Sequence, residues 1–149
     1  MKHLRFPLLV TISLSWVGCT NVCKEEQANS CEPHYILHPI GKIVKENNKT
    51  LIVLDKKYQS GLLGLDQFSH VTVIYWFDRN DTPEKRAILQ VYPQGDKRNP
   101  IRGVFATHSP VRPNLIAVSR CKILSVRDNI IEIDDIDAFP NSPILDLKN

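Results

Sequence analysis

From Ile36 to the end of the chain, short apolar and β-branched runs recur roughly every ten residues, each closed by turn residues, a rhythm that selects an all-β fold. Leu51-Ile-Val-Leu54 follows Asn47-Asn48, and asparagine tolerates the left-handed backbone that a two-residue hairpin turn demands. His70 to Phe77 is a β-branched and aromatic run stopped by Asp78-Arg-Asn-Asp-Thr-Pro83. Ala87 to Tyr92 alternates apolar and polar residues before Pro93-Gln-Gly-Asp96, which predicts a further strand. Ala117 to Val126 and Ile130 to Ile133 flank Arg127-Asp128-Asn129, a second hairpin signal. Only Lys56 to Leu65 hints at a helix, and Gly61 and Gly64 limit it to a turn or two. Strands at this spacing predict a sandwich or a barrel.

The first 19 residues are of another kind. Lys2 and Arg5 precede a mainly apolar run from Phe6 to Val17, and Gly18-Cys19 follows. That is the outline of a bacterial secretory leader, too short to span a bilayer as a helix of about 20 residues. The Gly-Cys ending predicts a lipoprotein signal, in which Cys19 is lipidated and anchors the chain to a membrane in the cell envelope. A start site misassigned upstream of a cytoplasmic protein is the other reading. Residues 20–35 are polar and read as a tether, leaving 36–149 as one domain with one core.

Charge and cysteine content bound the partners. The formal charge is +3, and loss of Lys2 and Arg5 with the leader leaves +1. RNA-binding surfaces usually carry a clear basic excess. The basic residues of the middle third, Lys85, Arg86, Lys97, Arg98, Arg102 and Arg112, are either a local patch or part of a solvated mixed surface. Cys23 and Cys31 enclose a polar segment and could pair in an oxidising envelope. Cys121 sits in an apolar alternation and reads as a small buried hydrophobe. No Cys-x-x-Cys occurs and the histidines are scattered, so no metal site is expected.

The segment Arg102 to Ser119 carries the densest chemistry. It opens as a short apolar strand and continues as a loop in which Pro110 and Pro113 hold φ near −65° and push Ser109 and Arg112 toward extended backbone. Stiff polar loops are suited to holding small molecules.

Its string, Gly103-Val-Phe-Ala-Thr-His-Ser-Pro-Val-Arg-Pro-Asn-Leu-Ile-Ala-Val-Ser119, resembles the signature loop of the TsaA-like family of TrmO-type tRNA methyltransferases, G-x-F-A-T-R-S-P-x-R-P-N-P-I-G-x-S. Leu62-Leu-Gly-Leu-Asp-Gln-Phe-Ser-His-Val71 resembles the family's Phe-Ser-His element, and Ile136 to Lys148 resembles its closing Leu-Asp-Ile-Lys segment. The three motifs fall in the family's order, and the resemblance covers about Ile36 to Lys148. The departures are local: His108 stands where the pattern has Arg, Leu115-Ile-Ala117 replaces Pro-Ile-Gly, and the turn at Asn47-Asn48 leaves no room for a Pro-Arg-Gln loop.

The resemblance implies a single compact, irregular β-barrel with minimal helix, often a homodimer, that uses S-adenosyl-L-methionine to methylate N6 of threonylcarbamoyladenosine beside the tRNA anticodon. Methyl transfer from a sulfonium requires alignment and a dry site more than covalent help. Arg112 would pair with the cofactor carboxylate through its bidentate fork. Asn114 offers a donor and an acceptor for adenine or ribose. Asp146 would accept from ribose hydroxyls or the ammonium, with the backbone of Ile144, Leu145, Asp146 and Leu147 bracketing the adenine. Phe68 and His70 would line the same pocket. His70 or His108 would take the proton released at N6, and Arg102, His108 and Lys148 would contact the RNA.

Structural alternatives stand beside these roles: an Arg112–Asp146 salt bridge, His70 as a satisfied core histidine, Asp146 at a frayed terminus, and Asp134, Asp135 and Asp137 as a solvated hairpin edge. At the level of the whole chain the alternative is a lipid-anchored envelope protein whose barrel binds a ligand or protein without catalysis.

Overall fold

The computed structural model describes residues 35–149; the leader, Cys19, the 20–34 part of the tether, Cys23 and Cys31 lie outside the described residues. Residues 36–149 form one compact unit. Its centre is a closed antiparallel barrel of six strands in the order β1 (Gly41–Glu46), β2 (Lys49–Leu54), β7 (Ile130–Ile133), β6 (Ile116–Arg127), β3 (His70–Trp76) and β8 (Pro143–Lys148), with β8 pairing back onto β1. A separate two-stranded ribbon joins β4 (Gln90–Val91) to β5 (Arg102–Gly103).

The hairpins form where the turn residues predict them. Asn47 and Asn48 have φ of 49° and 62°, the pair of left-handed residues that matches strand twist in a two-residue turn. Asp128 has φ 52° in the β6–β7 turn. The adjoining Asn129 accepts from the Leu54 amide at 2.9 Å and donates its side-chain amide to the Leu54 carbonyl, tying the two hairpins together. Closure on the other side depends on Gly41. It pairs with both Leu54 and Ile144, and a Cβ there would meet the Val53 carbonyl at 2.4 Å. Only glycine fits that seam.

Alternation fills the interior. Ile43, Ile52, Val71, Val73, Ile131, Ile133 and Ile144 are fully or almost fully buried, and Cys121 is 2% exposed among them. Burial pushes the Cys121 thiol up to about 11, so it packs as a protonated, unreactive hydrophobe.

The segments between strands are less regular than their patterns predict. Of Ala87–Tyr92 only Gln90–Val91 is strand, because the ribbon it joins contributes just two residues. The apolar start of the signature loop is strand for Arg102–Gly103 alone and then turns through a 3-10 segment at Val104–Ala106. Lys56–Leu62 and Leu65–Gln67 are 3-10 turns broken at Gly64, whose φ is 80°. One four-residue helix, α1 (Pro83–Arg86), is capped by Thr82 and begins with proline at its first position.

Candidate active site

Strand register decides which side chains meet. Tyr75 lies opposite Ala117 and Ile144, Val73 opposite Ser119 and Leu147, and Val71 opposite Cys121. This inward row is apolar until it reaches Tyr75 and Ser119 near the Trp76 end of β3. Tyr75 is almost fully buried, and its hydroxyl donates to the Asp137 carbonyl at 2.6 Å. Burial raises its phenol above the ordinary value against the opposing bond with Ser119, so the group remains a donor at neutral pH.

The signature loop folds over this end of the barrel. Thr107 Oγ1 donates to the Val104 carbonyl at 3.1 Å and accepts from the Ser109 amide at 3.2 Å, and Ser109 Oγ accepts from the Val111 amide at 3.3 Å. From outside, Arg86 donates through Nη1 to the Pro113 carbonyl at 2.6 Å and through Nε to Asp81 at 2.8 Å. The Trp76 indole also donates to Asp81, and that carboxyl is held below its ordinary value chiefly by Arg86. The loop ends at Leu115, fully buried with φ 51°, whose carbonyl accepts from the Phe77 amide at 2.9 Å. A proline, fixed near φ −65°, could not occupy this position.

Held this way, His108 and Arg112 line a cavity of about 200 Å³ with Tyr75, Phe77, Ser119 and Asp137. His108 and Asp137 also line a second cavity of about 230 Å³ and a broader cleft of about 870 Å³ beside the ribbon. One imidazole and one carboxylate thus stand where three spaces meet. None of the ion pairs among the described residues uses Arg112. The Arg112–Asp146 bridge does not form: Asp146 pairs with Lys148 at 3.2 Å and accepts from the Leu147 amide at 2.9 Å.

The remaining predicted residues distribute differently. Phe68, Asp146, Leu147 and Lys148 line a groove of about 520 Å³ near the His70 end of β3, walled also by Tyr58 and Leu62. His70 is half-buried and hydrogen-bonded through Nδ1 to Ser69 Oγ at 2.9 Å, and it lines none of these spaces. Asn114 and Arg102 are exposed and line none of them either. Ile144 belongs to the core, with its carbonyl taken by the Ile40 amide at 2.8 Å, and Leu145 is half-buried at the β-bulge. Of the acidic trio, Asp134 accepts from the Lys122 amide and Asp135 meets Lys45, whereas Asp137 faces the cavities. The middle basic set is partly engaged within the fold: Arg86 with Asp81, Arg98 with Asp96, and Lys85 with Asn80.

The two regions are nonetheless linked. On the outer face of the sheet Asp146 pairs with Ile74, and Ile74 pairs with Val118, which borders the His108–Arg112 cavity. Two strand spacings separate Asp146 from Val118, roughly 10 Å. Tyr75, Ser119 and Asp137 are the site residues that motif reading passes over. The available signal was alternation along β3 and β6, which turns a tyrosine and a serine into an otherwise apolar interior.

Solved TrmO structures share the overall fold of this barrel. The TrmO of Pseudomonas aeruginosa superposes with a TM-score of 0.58 at 22% identity, over 78% of this chain and 55% of that one. Another TrmO structure gives 0.59 at 26% identity, with 57% of its chain covered. This chain spans just over half the length of those structures. Residues 29–149 match the tRNA-methyltransferase O N-terminal domain, and the chain belongs to that family. A probable S-adenosyl-L-methionine-binding protein of Methanocaldococcus jannaschii is 45% identical over 114 residues, 76% of this chain and 90% of that protein. A rat tRNA (adenine(37)-N6)-methyltransferase is 33% identical over 90 residues, covering 60% of this chain and 20% of the rat protein.

Proposed function

We propose that this chain is an S-adenosyl-L-methionine-dependent methyltransferase acting on tRNA, with N6 of a threonylcarbamoyladenosine beside the anticodon as the acceptor. The observation that carries the reading is the junction at His108, where the signature loop places an imidazole on the wall of three neighbouring spaces and the Arg112 guanidinium on the wall of one of them. The binding named for the archaeal relative and the reaction named for the rat relative support it.

The residues fit the cofactor. Asp146 in the groove would offer a carboxylate to the ammonium or ribose hydroxyls, and Arg112 in the cavity beside Val118 would offer a guanidinium to the carboxylate. Phe68, Tyr58 and Leu62 offer the apolar wall that a purine requires. When bound, the cofactor supplies an electrophilic methyl on a sulfonium. The chain's own work is alignment and the exclusion of water. At the junction His108 accepts the proton that N6 releases as the new C–N bond forms, a task suited to an imidazole near neutral pH. The Tyr75–Asp137 bond fixes the wall against which the acceptor is aligned.

Calorimetric titration of the purified chain with S-adenosyl-L-methionine tests the reading. Saturable heat in wild type and its loss in Arg112→Ala are expected; no heat at millimolar cofactor rejects it.

The Gly18-Cys19 leader favours a second reading, a membrane-anchored protein of the cell envelope in which the barrel binds without methylating. Palmitate labelling of wild type but not of Cys19→Ala, together with absent cofactor heat, would establish that reading. Unlabelled wild type points to a cytoplasmic enzyme. A homodimer is part of the first reading, and sedimentation of the chain as a dimer is the result expected.

A further inference from the structure

The cavity of about 230 Å³ beside His108 has a wall, formed by Arg79 and Phe139, to which the proposed methyl transfer assigns no role. Arg79 lays its guanidinium over the Phe139 ring at 3.9 Å, and 55% of Phe139 remains exposed. Sixty positions of sequence separate the two residues, and each sits on a braced turn. Ser142 Oγ donates to Asp78 at 3.3 Å, joining the two turns directly. The Asn141 amide donates to the Ile43 carbonyl at 2.7 Å, and Lys85 donates to the Arg79 carbonyl at 3.0 Å. A flat ring and a flat cation are thus held at a cavity mouth before anything binds.

Exposed stacks of this composition suit one class of ligand. Unpaired nucleobases stack on aromatic rings and on guanidinium planes, and every base presents a face for it. The cavity is below the range of roughly 300–1,000 Å³ usual for whole small-molecule sites, which suits a single base better than a cofactor. It shares His108 and Asp137 with the Arg112 cavity, so a base seated there lies against the imidazole. The cavity's own aromatics, Phe77 and Tyr75, meet edge to face with centroids 5.6 Å apart.

We infer that the Arg79–Phe139 stack is a nucleobase platform, on which a splayed-out base of the single-stranded RNA loop stacks beside His108. The inference rests on the reading of the chain as a tRNA-acting enzyme and names the residues that seat the RNA.

The test is anisotropy of an end-labelled RNA hairpin with an adenosine-bearing loop, measured across a salt series for wild type and four variants. Stacking strengths measured by truncation translate to a loss of roughly 5- to 100-fold in affinity for Phe139→Leu, which keeps apolar bulk and removes the π-face. Its slope of log Kd against log salt stays at the wild-type value, because no charge is lost. Phe139→Tyr binds within about twofold of wild type, since the stacking face is retained. Arg79→Lys weakens binding without changing the slope, whereas Arg79→Ala also flattens it. Wild-type affinity in Phe139→Leu overturns the platform while leaving the tRNA reading intact. A wild-type chain that takes up S-adenosyl-L-methionine but not the hairpin overturns both.

Discussion

The two ends of β3 present different surfaces. At the Tyr75 end, polar groups are fixed by partners far away in sequence: Tyr75 by Asp137, Pro113 by Arg86, Leu115 by Phe77. At the His70 end, the groove is walled by Tyr58, Leu62 and a half-exposed Phe68, and its polar side chains Asp146 and Lys148 pair with each other near the surface. Orientation is built into the first region; the second contributes area. A transferase needs both, because alignment sets the rate of methyl transfer whereas apolar contact mostly sets how tightly a cofactor is held.

Substitutions that act on one end only should separate these contributions. The largest effect belongs to neither end. Gly41→Ala forces a Cβ against the Val53 carbonyl at the seam where the barrel closes, and is expected to cost about 3 kcal/mol or more and abolish both sites together. Chemical denaturation read against cofactor titration checks that the losses coincide.

Arg112→Ala removes the guanidinium that no described ion pair uses. Transfer to tRNA should fall on the order of 100-fold through loss of a charge-assisted contact, with the melting temperature barely changed. A large drop in melting temperature would instead assign Arg112 a structural role.

Arg86→Ala leaves the Pro113 carbonyl without its donor. A loss of about 1 kcal/mol in stability is expected, and kcat should fall more than the cofactor KM rises, because the loop is displaced while the groove is intact. Phe68→Ala should do the reverse: cofactor affinity weakens roughly tenfold by lost apolar contact, while kcat at saturation and stability hold. If both variants changed the same parameter, the contrast between the ends would collapse.

The smallest effect is on pH dependence. Burial pushes the Cys121 thiol up to about 11. A thiol in the unfolded chain ionises near 8.5. Stability is therefore fully present below that value and declines as pH rises through the interval to about 11, where the unfolded chain loses a proton that the native one keeps. Urea midpoints across that range should show the decline, and Cys121→Ala should flatten it up to about pH 10, above which the raised Tyr75 phenol maintains a decline in both proteins.

Much of the barrel was legible in the residues because the hairpins are local. Asn47-Asn48 and Asp128-Asn129 specify turns through backbone preferences of their own, and alternation at Ile43, Ile52, Val71, Val73 and Ile131 marks one buried face. Legibility ended at the strand ends. Ala87–Tyr92 alternates like a strand, yet most of it has no partner to pair with. The Phe-Ser-His and Leu-Asp-Leu-Lys motifs and the signature loop all read as parts of one pocket. The structure instead puts Phe68, Asp146 and Lys148 in the groove and His108 with Arg112 at the mouth, with His70 lining neither.

By itself the sequence determined most of the barrel strands, the tight turns and the family string, since each follows from residues adjacent or alternating along the chain. Only the tertiary structure decided which side chains share a space. Tyr75 meets Asp137 across 62 positions, and Arg86 reaches Pro113 across 27. Such meetings depend on how the segments between strands fold over the closed barrel, which brings residues distant in sequence together, and local preference carries no record of them.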